Sequence, residues 1–232
     1  MAENEQKELP QKSVERKKDF GFFYDVVKLI SGNGFAQTVK VLLSPVISRL
    51  FLPEFFGITQ NFSSIANILA VISSMRYDQS IMLPKEEKKA AVQLNVSVLF
   101  LLVTTPIFTF LIWLLRDEIA RLLNSPDLSP YLMLVPVQVI AISLFNIFNQ
   151  WNSRKRNYFR FSISKVVNEV TADGMTAGFG FAGLAGGSTM IISRITGQLL
   201  SAISLGLLVI KEDGKLFFDS LRWLEIKAGI KE

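Results

Sequence analysis

Between Val26 and Ile210 the sequence alternates six long apolar runs with short clusters of charge. That alternation is the strictest constraint on how the chain can fold. A helix needs about 20 mostly apolar residues to cross the hydrocarbon of a bilayer, and each run is long enough. The expected spans are Val26–Phe51, Ile58–Leu83, Ala90–Leu115, Pro130–Trp151, Phe161–Leu184 and Ser188–Ile210. Residues 1–25 read as a polar tail, 26–210 as a six-helix membrane lobe, and 211–232 as a charged tail with an amphipathic stretch at Leu216–Ile226. Pro45 and Pro136 fall inside predicted spans, where a proline kinks a helix by removing a backbone donor. Leu52–Gly57 reads as a turn, and Arg116–Ser129 as a polar connection.

The connections alternate in charge. Lys12, Arg16, Lys17 and Lys18 fall on one side, followed there by Lys85, Lys88 and Lys89, by Arg154, Lys155, Arg156 and Arg160, and by Lys211 and Lys215. The other side has only Arg49, Arg116 and Arg121 near it. An excess of Lys and Arg in alternate short loops sets orientation, so both termini are expected in the cytosol. The net charge of +5 therefore reports topology rather than nucleic-acid binding. The basic segment SRKRNYFR at 153–160 follows a span directly, and fits attraction to anionic headgroups.

The chain contains no cysteine and no histidine. Disulfides, Cys/His metal sites, thiol nucleophiles and imidazole acid–base chemistry are thereby excluded. Gly178–Gly183 matches GxGxxG in letters, but no strand precedes it and no acid follows at the right distance, so its glycines read as packing and a turn. Asp117 with Glu118, and Glu212 with Asp213, are adjacent acids in predicted connections, where charge is usually just solvated. No catalytic grouping stands out, and neither an enzyme nor a cofactor is expected.

Polar residues recur at helical spacing inside the apolar runs. Asn33, Gln37, Lys40, Ser44 and Ser48 fall on one face of the first span. A charge at the bilayer centre costs roughly 2.5–3.5 kcal/mol on insertion scales, so Lys40 is expected to face protein or water. In the second span Gln60, Ser64, Asn67, Ser74 and Asp78 share a face, with Arg76 on the other side. In the fifth, Lys165, Glu169, Asp173 and Thr176 share one, and Gly174 with Gly178 form a small-xxx-small pair suited to close helix packing. In the sixth, Arg194, Gln198 and Ser201 do. Glu169 and Asp173 have three open roles: a local pair with Lys165, a balance for Lys40 or Arg194 across the bundle, or titration with a coupling proton. Arg49 and Arg76 lie near predicted interfaces, where snorkelling to headgroups competes with a functional role.

Three blocks carry a resemblance: SPVISRLFLPEFFG at 44–57, SMRYDQSIMLPKEEKKAAVQLN at 74–95, and FNQWNSRKRNYFRFSISKVV at 148–167. In order and spacing they resemble the N-terminal half of bacterial Wzx-type oligosaccharide flippases, within the multidrug/oligosaccharidyl-lipid/polysaccharide exporter superfamily. The likeness covers roughly residues 25–211. It implies translocation of undecaprenyl-pyrophosphate-linked glycan across the inner membrane, by alternating access between two helical lobes around a cationic cavity. Arg49 matches the SRLF block, and Arg76 and Asp78 the RYD block. Lys40, Glu169, Asp173 and Arg194 rest on helical spacing alone. The family has about twelve or more helices, whereas six are read here, so the expected fold is an all-α membrane protein forming one lobe of a two-lobe flippase.

The partners expected are therefore membrane lipid, a polyprenyl-pyrophosphate glycan, and a second lobe or second copy, with no nucleic acid. Lys40, Arg49, Arg76, Asp78 and Arg194 are the expected binding residues, and Glu169 and Asp173 the candidate coupling carboxylates. Two other readings fit the sequence. One is an exporter of small molecules, against which the net-positive stripes argue. The other is a non-transporting scaffold in a glycan-assembly complex.

Overall fold

The computed structural model describes residues 34–220. The N-terminal tail, the start of the first span with Asn33, and residues 221–232 lie outside the described residues. Every regular element described is helical. Helix α1 covers 34–50, with Pro45 inside it, and α2 Pro53–Ser73. A 3-10 helix, Tyr77–Met82, leads to α3, Glu87–Leu122. A second 3-10 turn, Pro126–Leu128, runs into the short α4, Ser129–Leu132. Then follow α5 (Val135–Arg154), α6 (Tyr158–Phe181) and α7 (Gly187–Asp219).

The chain is an all-helical membrane protein. Helices α2, α3 and α7 are long and apolar enough to cross a bilayer, and Pro126–Leu132 with α5 makes a fourth candidate bent by 61°. The six long helices α1, α2, α3, α5, α6 and α7 occupy the six predicted apolar runs, although α6 also carries Arg160, Lys165, Glu169 and Asp173.

Several boundaries differ from the sequence reading, each for a local reason. Pro53 starts α2 instead of sitting in a turn, because the first helical turn needs no donor from it. Pro136 likewise sits in the first turn of α5 rather than inside a span. Helix α3 runs through Arg116 to Leu122, so the first half of the predicted polar connection belongs to it. Helix α7 continues past Ile210 to Asp219.

The largest departure is at the end of α2. Its helix stops at Ser73, and Met75 and Arg76 take left-handed φ values of 46° and 56°. Ser73 and Ser74 turn their hydroxyls back onto the carbonyls of Ala70 and Val71, a bond that competes with helix continuation. Ser74 and Asp78 therefore leave the α2 face on which regular spacing placed them. The break is held from outside: Ser73 and Ser143 hydroxyls lie 2.9 Å apart, and Thr104 donates to the Ser73 carbonyl at 3.1 Å. Such hydroxyl bonds are the usual adhesive between helices in lipid.

Two apolar clusters fill opposite ends of the bundle. One joins Phe62 and Ala66 of α2 to Leu132, Val139 and Ile191. The other surrounds Trp151, fully buried against Phe217 with ring centroids 4.8 Å apart. Around Trp151 the basic connections converge. Lys155 pairs with Glu87 at 2.6 Å and with Asp213 at 3.6 Å, and the Trp151 indole donates to Asp213. Arg154 donates to the carbonyls of Ile81 and Lys85, and Arg160 pairs with Glu212. The three basic clusters described thus gather at one end, as alternating topology requires. Of the three helices that pass as spans on their own, α3 is the least buried, with only 11% of its most apolar window buried against 44% for α7.

Helix α6 packs along α7, and α7 along α5. The close approach is not made by Gly174 and Gly178, which face open space. Against α6 it is made by Gly197, where a Cβ would lie 2.8 Å from the Asn168 carbonyl, whereas Gly180 meets the end of α1, where a Cβ would lie 2.9 Å from Leu50 and Phe51 side chains. Ser201 reinforces the contact by donating to the Ser164 carbonyl at 2.7 Å. Gly197→Leu should cost roughly 1–3 kcal/mol by overpacking against α6 backbone. A thermal melt in detergent should show a drop of several degrees for Gly197→Leu and none for Gly174→Leu.

Candidate functional site

Helical spacing gathers charge on one side of α6. Lys165, Asn168, Glu169, Ala172 and Asp173 follow the i, i+3, i+4, i+7, i+8 pattern of a single face. That face does not meet lipid. It borders a cleft of about 290 Å³ whose other walls are α1, α2, α5 and α7. Lys40 of α1 enters from one side, with its ammonium 4.0 Å from the Glu169 carboxylate. Arg194 of α7 also lines the cleft, and the charges of Glu169, Lys40 and Arg194 all reach Asp173. Lys165 does not make the local pair with Glu169. Its ammonium sits over the rings of Phe145 and Phe161, 5.5 and 5.8 Å from their centroids.

The cleft is polar, and its charged side chains stay partly open to solvent. The Lys40 side chain is 50% exposed and that of Glu169 25%, so their pair is a weak tie and Lys40 remains available to a ligand. Three cations (Lys40, Lys165 and Arg194) face two carboxylates, a balance that favours an anion. Five carboxamides complete the wall: Asn67 from α2, Gln138 and Asn146 from α5, Asn168 from α6 and Gln198 from α7. Asn168 donates to Gln198 at 3.1 Å. A second cleft of about 220 Å³ adjoins the first and shares Lys40, Ala172, Asp173 and Arg194 with it. Its remaining lining is less polar and includes Ile47, Phe56 and Met190. These residues lie towards the end of the bundle opposite the basic connections.

Of the residues singled out by sequence, the structure brings Lys40, Glu169, Asp173 and Arg194 together. Arg49 is exposed near the end of α1 and does not line either cleft. Arg76 stands exposed on the left-handed turn after α2, and Asp78 is buried on the 3-10 helix beyond it. Both belong to the basic end. The spacing that ran from Gln60, Ser64 and Asn67 could not place them, because the helix that carries it ends at Ser73. The sequence reading did not single out Gln138 or Asn168. Their signal was present: Gln138, Ile142, Phe145 and Asn146 repeat at helical intervals on α5, and Asn168 precedes Glu169 on the same face of α6.

A charged, amide-lined cleft inside a helical membrane bundle defines the class of protein. The family follows from comparison: a family model described as "Polysaccharide biosynthesis protein" matches residues 46–216, most of the chain, and the chain belongs to that family. The match takes in Glu169, Asp173 and Arg194 and begins after Lys40. Comparison with curated proteins gave no significant match, and comparison with solved structures gave none.

Because the chain has no native cysteine, the wetness of the cleft can be read directly. In proteoliposomes, Lys40→Cys and Arg194→Cys should react with a water-soluble maleimide. Leu102→Cys and Phe110→Cys, at exposed positions of α3, should stay unlabelled in lipid. Equal labelling of all four would contradict an aqueous cleft.

Proposed function

We propose that this chain forms one lobe of a translocase for polyprenyl-diphosphate-linked oligosaccharide in the bacterial inner membrane, serving surface polysaccharide biosynthesis. The observation that carries this reading is the cleft in which Lys40, Lys165 and Arg194 outnumber Glu169 and Asp173 amid five carboxamides. Membership of a polysaccharide biosynthesis family supports it. The diphosphate is drawn by the cations, because charge attraction strengthens away from bulk water. The polyprenyl tail remains in lipid. The chain makes and breaks no bond; it lowers the cost of carrying a charged, hydrated headgroup through hydrocarbon.

In this reading α1 and α6 also cross the membrane, with their charged faces turned to the cleft, giving six crossings. The basic end is cytosolic, by the excess of Lys and Arg there. A second lobe, or a second copy, closes the open side of the cleft, and rocking between the two exposes it alternately to each leaflet. The two carboxylates would suit a small cationic drug, but the majority of cations favours an anionic cargo.

Lys40 is the residue to test. In vesicles holding a translocation-competent assembly, Lys40→Ala should slow glycolipid transfer roughly tenfold, the scale of losing one charge-assisted contact. Lys40→Arg should keep most of the rate. Equal transfer by wild type and Lys40→Ala would remove the role assigned to Lys40. Robust flipping by this chain alone would dispose of the scaffold reading.

A further inference from the structure

A further cavity, of about 530 Å³, opens at the basic end and shares no lining residue with either cleft. Its walls come from two adjoining stretches of sequence. At the start of α3, Glu86, Lys89 and Gln93 are spaced three and four apart and so form one stripe. Opposite stands the 3-10 helix with Ser80, and the connecting loop contributes Leu83 and Lys85. That loop is held from α5, because Arg154 donates to the carbonyls of Ile81 and Lys85.

Gln93 is the residue there that packing does not explain. It is only 5% exposed, yet its Nε2 donates to no other described residue. Its Oε1 lies 3.4 Å from a Ser80 hydroxyl that bonds the Tyr77 carbonyl at 2.6 Å. Unlike the sealed Oε1 of Gln138, the Gln93 nitrogen keeps access to its cavity. A donor without an acceptor calls for one from outside. The charges around it point the same way. Lys85 forms no ion pair with another described residue, and Lys89 leans on Glu86, the one acid of the lining, at 3.6 Å. Both partners of that pair are more than half exposed, so it is weak and leaves Lys89 available. Helix α3 also starts without a side-chain cap, and its first N–H groups add positive potential. Beside these cations Met82 and Leu83 are 48% and 81% exposed. Lysines next to bare apolar side chains suit the boundary between water and hydrocarbon.

We propose that this cavity is a site for an anionic phospholipid of the adjacent leaflet. The phosphodiester lies between Lys85 and Lys89, Gln93 Nε2 donates to one of its oxygens, and an acyl chain runs along Leu83. Phosphate oxygens accept at every lone pair, which matches a wall of ammonium and amide donors. A soluble phosphate would leave Leu83 uncovered, and a zwitterionic headgroup would bring its own cation against the lysines. The site is separate from the cargo cleft and does not depend on what the cargo is. A lipid held there joins the 3-10 helix to α3 at the corner where α2 breaks, and so stabilises the folded bundle.

The test melts the purified full chain in neutral detergent with added phosphatidylglycerol or phosphatidylcholine. Phosphatidylglycerol should raise the melting temperature by several degrees more, since a ligand of the folded state alone stabilises it. Titrating the lipid gives an apparent affinity, which Lys85→Ala combined with Lys89→Ala should weaken roughly tenfold. Gln93→Leu should weaken it severalfold and keep its melting temperature in phosphatidylcholine. Both lysines are exposed, so their variant decides the matter even where Gln93→Leu fails to fold. Lys211→Ala combined with Lys215→Ala removes as much charge from the same end outside the cavity, and should bind as wild type. Lys40→Ala, in the cleft, should do so too. Equal effects of the two lipids, or wild-type affinity in either folded cavity variant, overturn the site. So does an equal loss in the Lys211 and Lys215 variant, which means diffuse attraction, or a loss in Lys40→Ala, which puts the lipid in the cleft. An equal rise with glycerol 3-phosphate makes the ligand a soluble anion and also overturns it.

Discussion

Ionisable groups inside a membrane bundle have to find one another or find water, and the arrangement of this protein follows from where it puts them. Lys40, Glu169, Asp173 and Arg194 stand on three helices that none of them could face towards lipid. Helix α6 is bound most tightly by this constraint. It carries four ionisable residues along its length, and it is laid along α7 with its charged side to the cleft while Ile163 and Val170 stay exposed elsewhere on it. Helix α3 is the opposite case: its middle carries no charge, and it leaves Leu102, Phe110 and Trp113 exposed.

The same rule is met differently at the two levels of the bundle. At the basic end charges are paired at short range and tied to backbone. Lys155 bridges Glu87 and Asp213, Asp213 accepts from buried Trp151, and Arg154 satisfies carbonyls at the end of the 3-10 helix. These bonds join α3, α5 and α7 and leave those groups little capacity for a ligand. Deeper in the bundle the Lys40–Glu169 pair is long and half exposed, and Arg194 is exposed in the cleft. Paired charge builds a frame, whereas loosely paired charge keeps its capacity to bind.

What the sequence made legible was whatever repeats. The stripe from Gln37 to Ser48, the Glu169–Asp173 interval and the alternation of basic connections are periodic signals, and the cleft and the basic end are their three-dimensional consequence. What escaped were single events. No glycine or proline announces the break after Ser73; it comes from two serine hydroxyls bonding backward and from partners on α3 and α5, which no local pattern contains. Arg76 and Asp78 were misplaced with it. Gly174 and Gly178 have the spacing of a packing motif, but the close contacts fall to Gly180 and Gly197, because helix rotation and not spacing decides which glycine meets a neighbour. Gln138 is one polar residue in an apolar run, and its lack of a partner is visible only once the bundle is assembled.

The blocks that carry the family resemblance fall mostly outside the cleft. Residues 44–57 form the α1–α2 corner, where Phe51 is buried against α6. Residues 74–95 form the turn, the 3-10 helix and the start of α3. Residues 148–167 carry Trp151, Arg154, Lys155 and Arg160, which clamp the basic end, and give the cleft only Lys165. These three blocks therefore chiefly build corners and clamps. Most residues that line the cleft, such as Gln138 and Asn146, lie outside the blocks. A frame fixed by paired charge and buried aromatics leaves the positions of an open, polar cleft freer to vary, because most of them hold up little else.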